Sequence, residues 1–407
     1  MYKVLQINVV GNFGSTGRIA NDIGDLCLRN NWESYIAIGR KERPSNSKII
    51  KIGNDIDLVQ HALKTRIFDR HGFGSKKATK KFIENVLEIK PDIIHLHNIH
   101  GYFINIEILF DFLKEYNAPV VWTLHDCWSF TGHCSYFDFA KCEKWKTICF
   151  DCPQKKSFPS SYFLDSSKAN YIDKKNLFNN VNNLTLVPVS NWLNELIKES
   201  FLESKSQVIN NGINLNNFTP SKNIEKIKVK HNIQNKLIVL GVASIWSDRK
   251  GLKDFIKLSK EVNESIIIVL VGLSDKQLKN LPDNIIGIQR TESISELADL
   301  YSAADLYLNL TYEDNFPTTN LEALACGTPV LTYNTGGSIE SVDNTTGFVV
   351  EKGDIAGLIT ILNKKELFVF KKLKNNCREK ALKNYNKDER YKEYLELYAS
   401  LIKNHKK

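Results

Sequence analysis

Short, nearly uninterrupted apolar runs alternate along the chain with longer stretches in which apolar residues recur every three or four positions. Residues 4–10, 35–38, 93–96, 120–124 and 184–189 read as strands in the first half. Residues 237–242, 266–271, 285–288, 306–310 and 329–332 read as strands in the second, with helical segments such as 294–303 between them. Strands that are apolar on both faces need helices on both sides, so the alternation predicts an α/β protein with parallel sheets. The rhythm restarts after Asn210-Asn211-Gly212-Ile213-Asn214, where turn formers accumulate before a charged stretch. This divides the chain into a first domain over 1–215 and a second over 216–385. Residues 386–407 continue as a charged helix with Tyr391, Tyr394 and Tyr398 among its apolar positions, long enough to leave the second domain and cross back onto the first.

Length agrees with that division, since 407 residues at roughly 150 per domain make two or three domains. The longest apolar run, 266–271, ends at Gly272, well short of the roughly 20 residues that span a bilayer. The opening segment has one lysine, a broken apolar stretch and no small-residue cleavage site, so it reads as a first strand and the expected location is the cytoplasm. A net charge of +9 suits an anionic ligand, or peripheral contact with the inner face of the cytoplasmic membrane. The charge is spread over many lysines in the manner of a solvated surface, and nucleic acid is not the expected partner.

The segment from Glu313 to Val330 carries the most chemistry. Asp314-Asn315-Phe316-Pro317 follows a strand and leads into a helix that Pro317 can open and Gly327 can close, a span of about ten residues. The amino end of such a helix attracts phosphate. Asp314 before the helix and Glu322 within it can place two carboxylates around one polyhydroxylated ligand, because hydroxyls need acceptors. A helix that merely begins with acids has the same look. Arg249-Lys250-Gly251 lies at another strand-to-helix turn, the place where α/β sheets bind ligands. There Arg249 can fork onto phosphate oxygens and Lys250 can act as a point charge.

In the first half, Gly11-Asn12-Phe13-Gly14-Ser15-Thr16-Gly17 follows the first strand, with a helix expected from about Gly17. The spacing alone is that of any tight turn. Histidines gather at His95, His97 and His100 and at His125-Asp126, all at strand ends. Five of the eight cysteines lie between Cys127 and Cys152, in an insertion after His125. Cys134, Cys142, Cys149 and Cys152 can supply four ligands to a structural zinc, although only Cys149 and Cys152 have tight Cys-x2-Cys spacing. Reduced thiols packed as small apolar groups, or a redox pair, are the alternatives.

An acid at 314, Phe316, a second acid at 322 and then Ala323-Leu324-Ala325-Cys326-Gly327-Thr328-Pro329-Val330 resemble the signature of family 4 retaining glycosyltransferases. The resemblance extends in order over nearly the whole chain. It takes in the glycine loop at Gly14, Ser15 and Gly17, Thr123-Leu124-His125-Asp126, the Asn-Gly-Ile-Asn linker and Arg249-Lys250-Gly251. The family usually has Glu-Gly-Phe-Gly where this chain has Asp314-Asn315-Phe316-Pro317, so the first carboxylate is shorter and a glycine has become proline.

This likeness implies the GT-B architecture, two Rossmann-like domains facing a cleft. It implies transfer of a sugar from a nucleotide diphosphate, a UDP-sugar being the expected donor, to a hydroxyl of a glycan or lipid-linked glycan, with retention at the anomeric carbon. His125, Asp126 and Asp314 would serve the reaction centre, with Asp126 orienting His125 or meeting the acceptor. Arg249, Lys250, Asn315, Phe316, Thr318, Thr319 and Glu322 would hold the donor, with Glu322 on the ribose. The glycine loop would lie on the acceptor side, and no cofactor would be needed for catalysis. A sugar-nucleotide epimerase of the same architecture and a zinc-containing nucleic-acid-binding protein are the competing expectations.

Overall fold

In a computed structural model, which describes residues 1–364 and 367–406, the chain forms two compact units. Lys365, Glu366 and Lys407, which the expected second domain and C-terminal tail include, lie outside the described residues. The first unit comprises Met1–Asn210 and Tyr391–Lys407, the second Asn211–Arg390.

The first unit is built on seven parallel strands, β1 (Lys3–Gly11), β2 (Glu33–Glu42), β3 (Lys48–Lys51), β4 (Ile93–Leu96), β5 (Val120–Leu124), β6 (Leu184–Pro188) and β7 (Lys205–Ser206), in the order β3-β2-β1-β4-β5-β6-β7. The strand order reverses between β1 and β4, which opens a crevice at their carboxyl ends. β4 and β5 are buried at every position, as strands covered on both faces must be. The final helix, Lys387–His405, completes this unit. Tyr391, Tyr394, Leu397, Tyr398 and Ile402 pack into one apolar cluster with Val4, Ile23, Ile93 and Val121, so the expected return of the C-terminal helix to the first domain is what the structure has. Each large side chain buried there contributes about 1.5–3 kcal/mol.

The second unit repeats the plan with β8 (Leu237–Val242), β9 (Ile266–Val271), β10 (Ile285–Ile288), β11 (Leu306–Asn309), β12 (Val330–Tyr333) and β13 (Gly347–Val350), in the order β10-β9-β8-β11-β12-β13. Its reversal falls between β8 and β11. β3, β7 and β13 are edge strands that the apolar pattern did not reveal. β3 reads Lys-Ile-Ile-Lys with exposed ends, because an edge strand keeps one side in water.

Candidate functional site

Each unit has its own group of polar side chains at the strand reversal. In the second unit the two loops at the reversal are those after β8 and β11, and they carry the basic pair and the acidic segment. A short turn, Asp248–Lys250, ends at Gly251, whose φ of +77° suits glycine and where a Cβ would collide with the carbonyl oxygen of Leu310. That close approach brings the loops together: the Tyr312 amide donates to the Arg249 carbonyl at 2.8 Å, and Thr311 Oγ1 reaches the same carbonyl at 3.4 Å. Lys250 Nζ lies 2.6 Å from Asp314 Oδ2, and Arg249 donates from Nη1 to the Glu313 carbonyl at 3.2 Å with its Nε 3.7 Å from Glu313 Oε1. Both cations remain about a quarter to a third exposed, so water and ligand reach them.

Behind the loop, Gly337 donates its amide to the Asp314 carbonyl at 3.2 Å, and the Asn211 amide group reaches the Phe316 carbonyl at 3.4 Å. Asn315 and Phe316 are buried. The helix that follows runs Thr318–Ala325, eight residues rather than about ten, with Pro317 extended at its N-cap instead of occupying the first helical position. Its first turn has no acid, so Asp314 belongs to the loop and not to the helix. Thr318 and Thr319, at the amino end where amides lack intrahelical partners, are partly exposed. Glu322 is 8% exposed and accepts a hydrogen bond from Tyr301 Oη at 3.1 Å, which holds one carboxylate oxygen in place.

In the first unit the helix after β1 begins at Gly14, three residues before the expected start, because Asn12 with φ +48° turns the chain tightly enough for Phe13 to cap it. Gly14 and Ser15 are exposed at its end. Gly17 is buried against Val10, with little space for a side chain. His125, past the end of β5, is partly buried, and its Nε2 lies 3.2 Å from Nδ1 of the buried His97, whose Nε2 in turn lies 3.0 Å from Gln6 Oε1. Burial pushes His125 down to about 4, with Asp126 opposing the shift, and holds His97 and His95 well below the usual imidazole range.

Asp126 lies close enough to His125 to act on its charge, and its two carboxylate oxygens have further partners. Its Oδ2 takes the His100 Nε2 contact at 2.8 Å and its Oδ1 accepts the Trp128 amide at 2.9 Å. Burial alone would raise this carboxyl, but His100 and these hydrogen bonds hold it below its ordinary value. His95 Nε2 meets Thr123 Oγ1 at 2.7 Å, and Thr123 meets Tyr394 Oη at 3.0 Å, so the C-terminal helix buttresses the same histidines. Gln6 and the roles of His97 and His100 were missed in sequence. Gln6 and Asn8 are buried polar residues inside an otherwise apolar strand, and that oddity was the available signal.

The insertion after His125 gathers Cys134, Cys142, Cys149 and Cys152 around one small cavity with His133, Phe137 and Trp145. Among the described residues, however, no group of three or more His, Cys, Asp or Glu side chains is disposed to hold a metal ion, so the expected structural zinc has no ligand set here. The contacts are pairwise. A hydrogen bond from Cys134 pulls the Cys152 thiol down to about 7, Cys149 Sγ accepts the Gly132 amide at 3.2 Å, and His133 Nδ1 meets Asp69 Oδ1 at 2.5 Å. Nearby, Lys174 is buried against the Trp128 ring and donates to the Trp128 and Thr131 carbonyls, and burial lowers it to about 7. No described helix is long and apolar enough to cross a membrane.

Comparison with known proteins fits this geometry. Residues 223–384, most of the second unit, match the family model "Glycosyl transferases group 1". The putative colanic acid biosynthesis glycosyl transferase WcaC of Escherichia coli K12 is 23% identical over 98% of this chain and 100% of its own length. N,N'-diacetylbacillosaminyl-diphospho-undecaprenol alpha-1,3-N-acetylgalactosaminyltransferase of Campylobacter jejuni is 30% identical over 50% of this chain and 56% of its own. In fold, HepE of Anabaena in complex with UDP-glucose superposes with a TM-score of 0.70 at 15% identity, covering 98% of this chain and 100% of that one. Two parallel Rossmann-like sheets and these matches together give the chain the GT-B fold and make its second unit, with the basic pair and the acid-Phe helix at its switch point, a glycosyl transferases group 1 domain.

Proposed function

We propose that the chain transfers a sugar from a UDP-sugar to a hydroxyl of a glycan or lipid-linked glycan, with retention, in the cytoplasm or at the inner face of the cytoplasmic membrane. One observation carries the donor side of this reading: both switch-point loops of the second unit converge, and their charges are already paired, Lys250 to Asp314 at 2.6 Å and Arg249 to Glu313. A diphosphate offers these cations a more highly charged partner than a single carboxylate. When Lys250 turns to the phosphate, Asp314 is left to accept hydrogens from hydroxyls of the sugar. Arg249, Lys250 and the amino end of helix Thr318–Ala325 stabilise the charge that grows on the leaving diphosphate, and transfer then needs no divalent cation. Glu322, held by Tyr301, accepts from the ribose hydroxyls, while Asn315 and Phe316 shape the loop around the donor. His125 and Asp126 face the reacting hydroxyls, with Gly14, Ser15 and Gly17 on the acceptor side. The proton of the incoming hydroxyl passes to the departing phosphate oxygen as the new glycosidic bond forms on the same face.

The relatives support the substrate classes. UDP-glucose is bound in HepE, and the Campylobacter enzyme is named for a lipid-diphosphate acceptor. The test is calorimetric titration with UDP followed by a screen of UDP-sugars for enzyme-dependent UDP release. Binding that survives Arg249→Ala and Glu322→Ala unchanged overturns the assignment of the donor site.

A further inference from the structure

Three hydrogen bonds in series run beneath the strand reversal of the first unit, and their polarity can be read from one end. Gln6, within β1, donates from Nε2 to the carbonyl oxygen of Ala20 at 2.8 Å, which decides the end of the amide that carries oxygen. That oxygen, Oε1, lies 3.0 Å from His97 Nε2. An amide oxygen only accepts, so His97 bears its hydrogen on Nε2. His97 is 1% exposed and has no carboxylate against it; kept neutral, it has a lone pair on Nδ1. Nδ1 is 3.2 Å from His125 Nε2 and, being an acceptor, takes its hydrogen from that nitrogen.

We propose that Gln6 and His97 are positioning residues that lock His125 in the Nε2–H tautomer, so that its Nδ1 is an acceptor and a substrate hydroxyl engaging it must donate. Reversing Gln6 or His97 would set donor against donor or acceptor against acceptor between two buried side chains. Recognition by acceptance selects for a hydroxyl over an ether or an acyl oxygen at that position of the sugar. The inference rests on the reading of His125 as a substrate-facing residue only for this last step. The tautomer itself stands on the geometry.

The test uses the full chain labelled with 15N-histidine and long-range 1H–15N correlation at neutral pH, with the His125 signals identified by their loss in His125→Ala. The wild type is expected to show a protonated Nε2 and an unprotonated Nδ1. His97→Gln keeps the tautomer, because a glutamine can donate to Gln6 and accept from His125. His97→Leu removes the acceptor, and the Nδ1–H form rises several-fold. Where His97→Leu does not fold, Gln6→Met probes the same link, because it removes the oxygen that orients His97 at nearly equal volume. Calorimetric UDP affinity, which reports the second unit, is expected to stay within about twofold in the folded variants, a change far below the tenfold that marks 1.4 kcal/mol. A wild-type His125 with its hydrogen on Nδ1, or a tautomer unmoved in the folded His97→Leu or Gln6→Met chain, overturns the proposal. Absence of UDP binding with the expected tautomer intact refutes the donor-site reading instead.

Discussion

The two units place polar groups at the same topological point, the reversal of a parallel sheet, yet handle charge in opposite ways. In the second unit Arg249, Lys250 and Asp314 stay partly exposed, held in ion pairs that an anion can rearrange. In the first, His95, His97 and His125 are kept neutral by burial, and hydrogen bonds set their direction instead. A site that grips a diphosphate needs mobile charge. One that sorts hydroxyls needs fixed donors and acceptors, because a neutral network does not swap partners when an anion arrives.

The contrast is broken most severely by Arg249→Ala. Removing a cation from the departing phosphate is expected to lower turnover on the order of 10²–10³-fold, with little change in melting temperature, because Arg249 is about a third exposed. Steady-state rates beside a thermal melt check this, and normal turnover by a folded variant would deny the second unit its charged role.

Acidification tests the first unit. Folded His125 takes its proton near 4 and the unfolded imidazole near 6.5, so between those values the unfolded chain binds more protons. Stability is therefore full above 6.5 and is lost as pH falls through about 4, by an amount on the order of 2–3 kcal/mol from this residue. Denaturant midpoints from pH 7 to 4 measure it, and His125→Asn should flatten the slope. An unchanged slope in that variant contradicts a neutral His125.

A smaller effect sharpens the donor side. Glu322→Gln keeps a partner for Tyr301 but loses the charge that strengthens a hydroxyl hydrogen bond, and UDP affinity is expected to weaken about tenfold, or 1.4 kcal/mol. Calorimetry reads this directly. The gentlest probe is chemical. At pH 7.5 and limiting iodoacetamide, Cys152, lowered to about 7, should be labelled before the buried Cys27, Cys326 and Cys377, all raised to about 12 by burial. Peptide mass mapping gives the order. One equivalent of tightly held zinc in the same preparation would show that the cysteines act as ligands rather than as thiol pairs.

The match of residues 223–384 to group 1 glycosyl transferases weighs against the epimerase and nucleic-acid expectations, and that stretch holds residues visible in the chain: Lys250, Asp314, Glu322 and the Ala-Leu-Ala-Cys-Gly-Thr-Pro-Val run. Less legible were the pairings. That Asp126 meets His100, 26 positions away, is invisible along the chain, since only the folded sheet brings the two strand ends together. Pro317 misled by one position, because a fixed φ fits an N-cap as well as a first helical turn.

Apolar runs and turn residues by themselves determined two parallel α/β units, the strand ends where chemistry collects and the C-terminal helix that returns to the first core. These are local matters of burial and periodicity, written residue by residue. Only the tertiary structure decided that Gln6 reaches His97, that Lys250 meets Asp314 and that four cysteines share a cavity without forming a ligand set. Hydrogen bonds and ion pairs depend on ångström distances between residues as far apart as 271 positions, and sequence spacing carries no such distance.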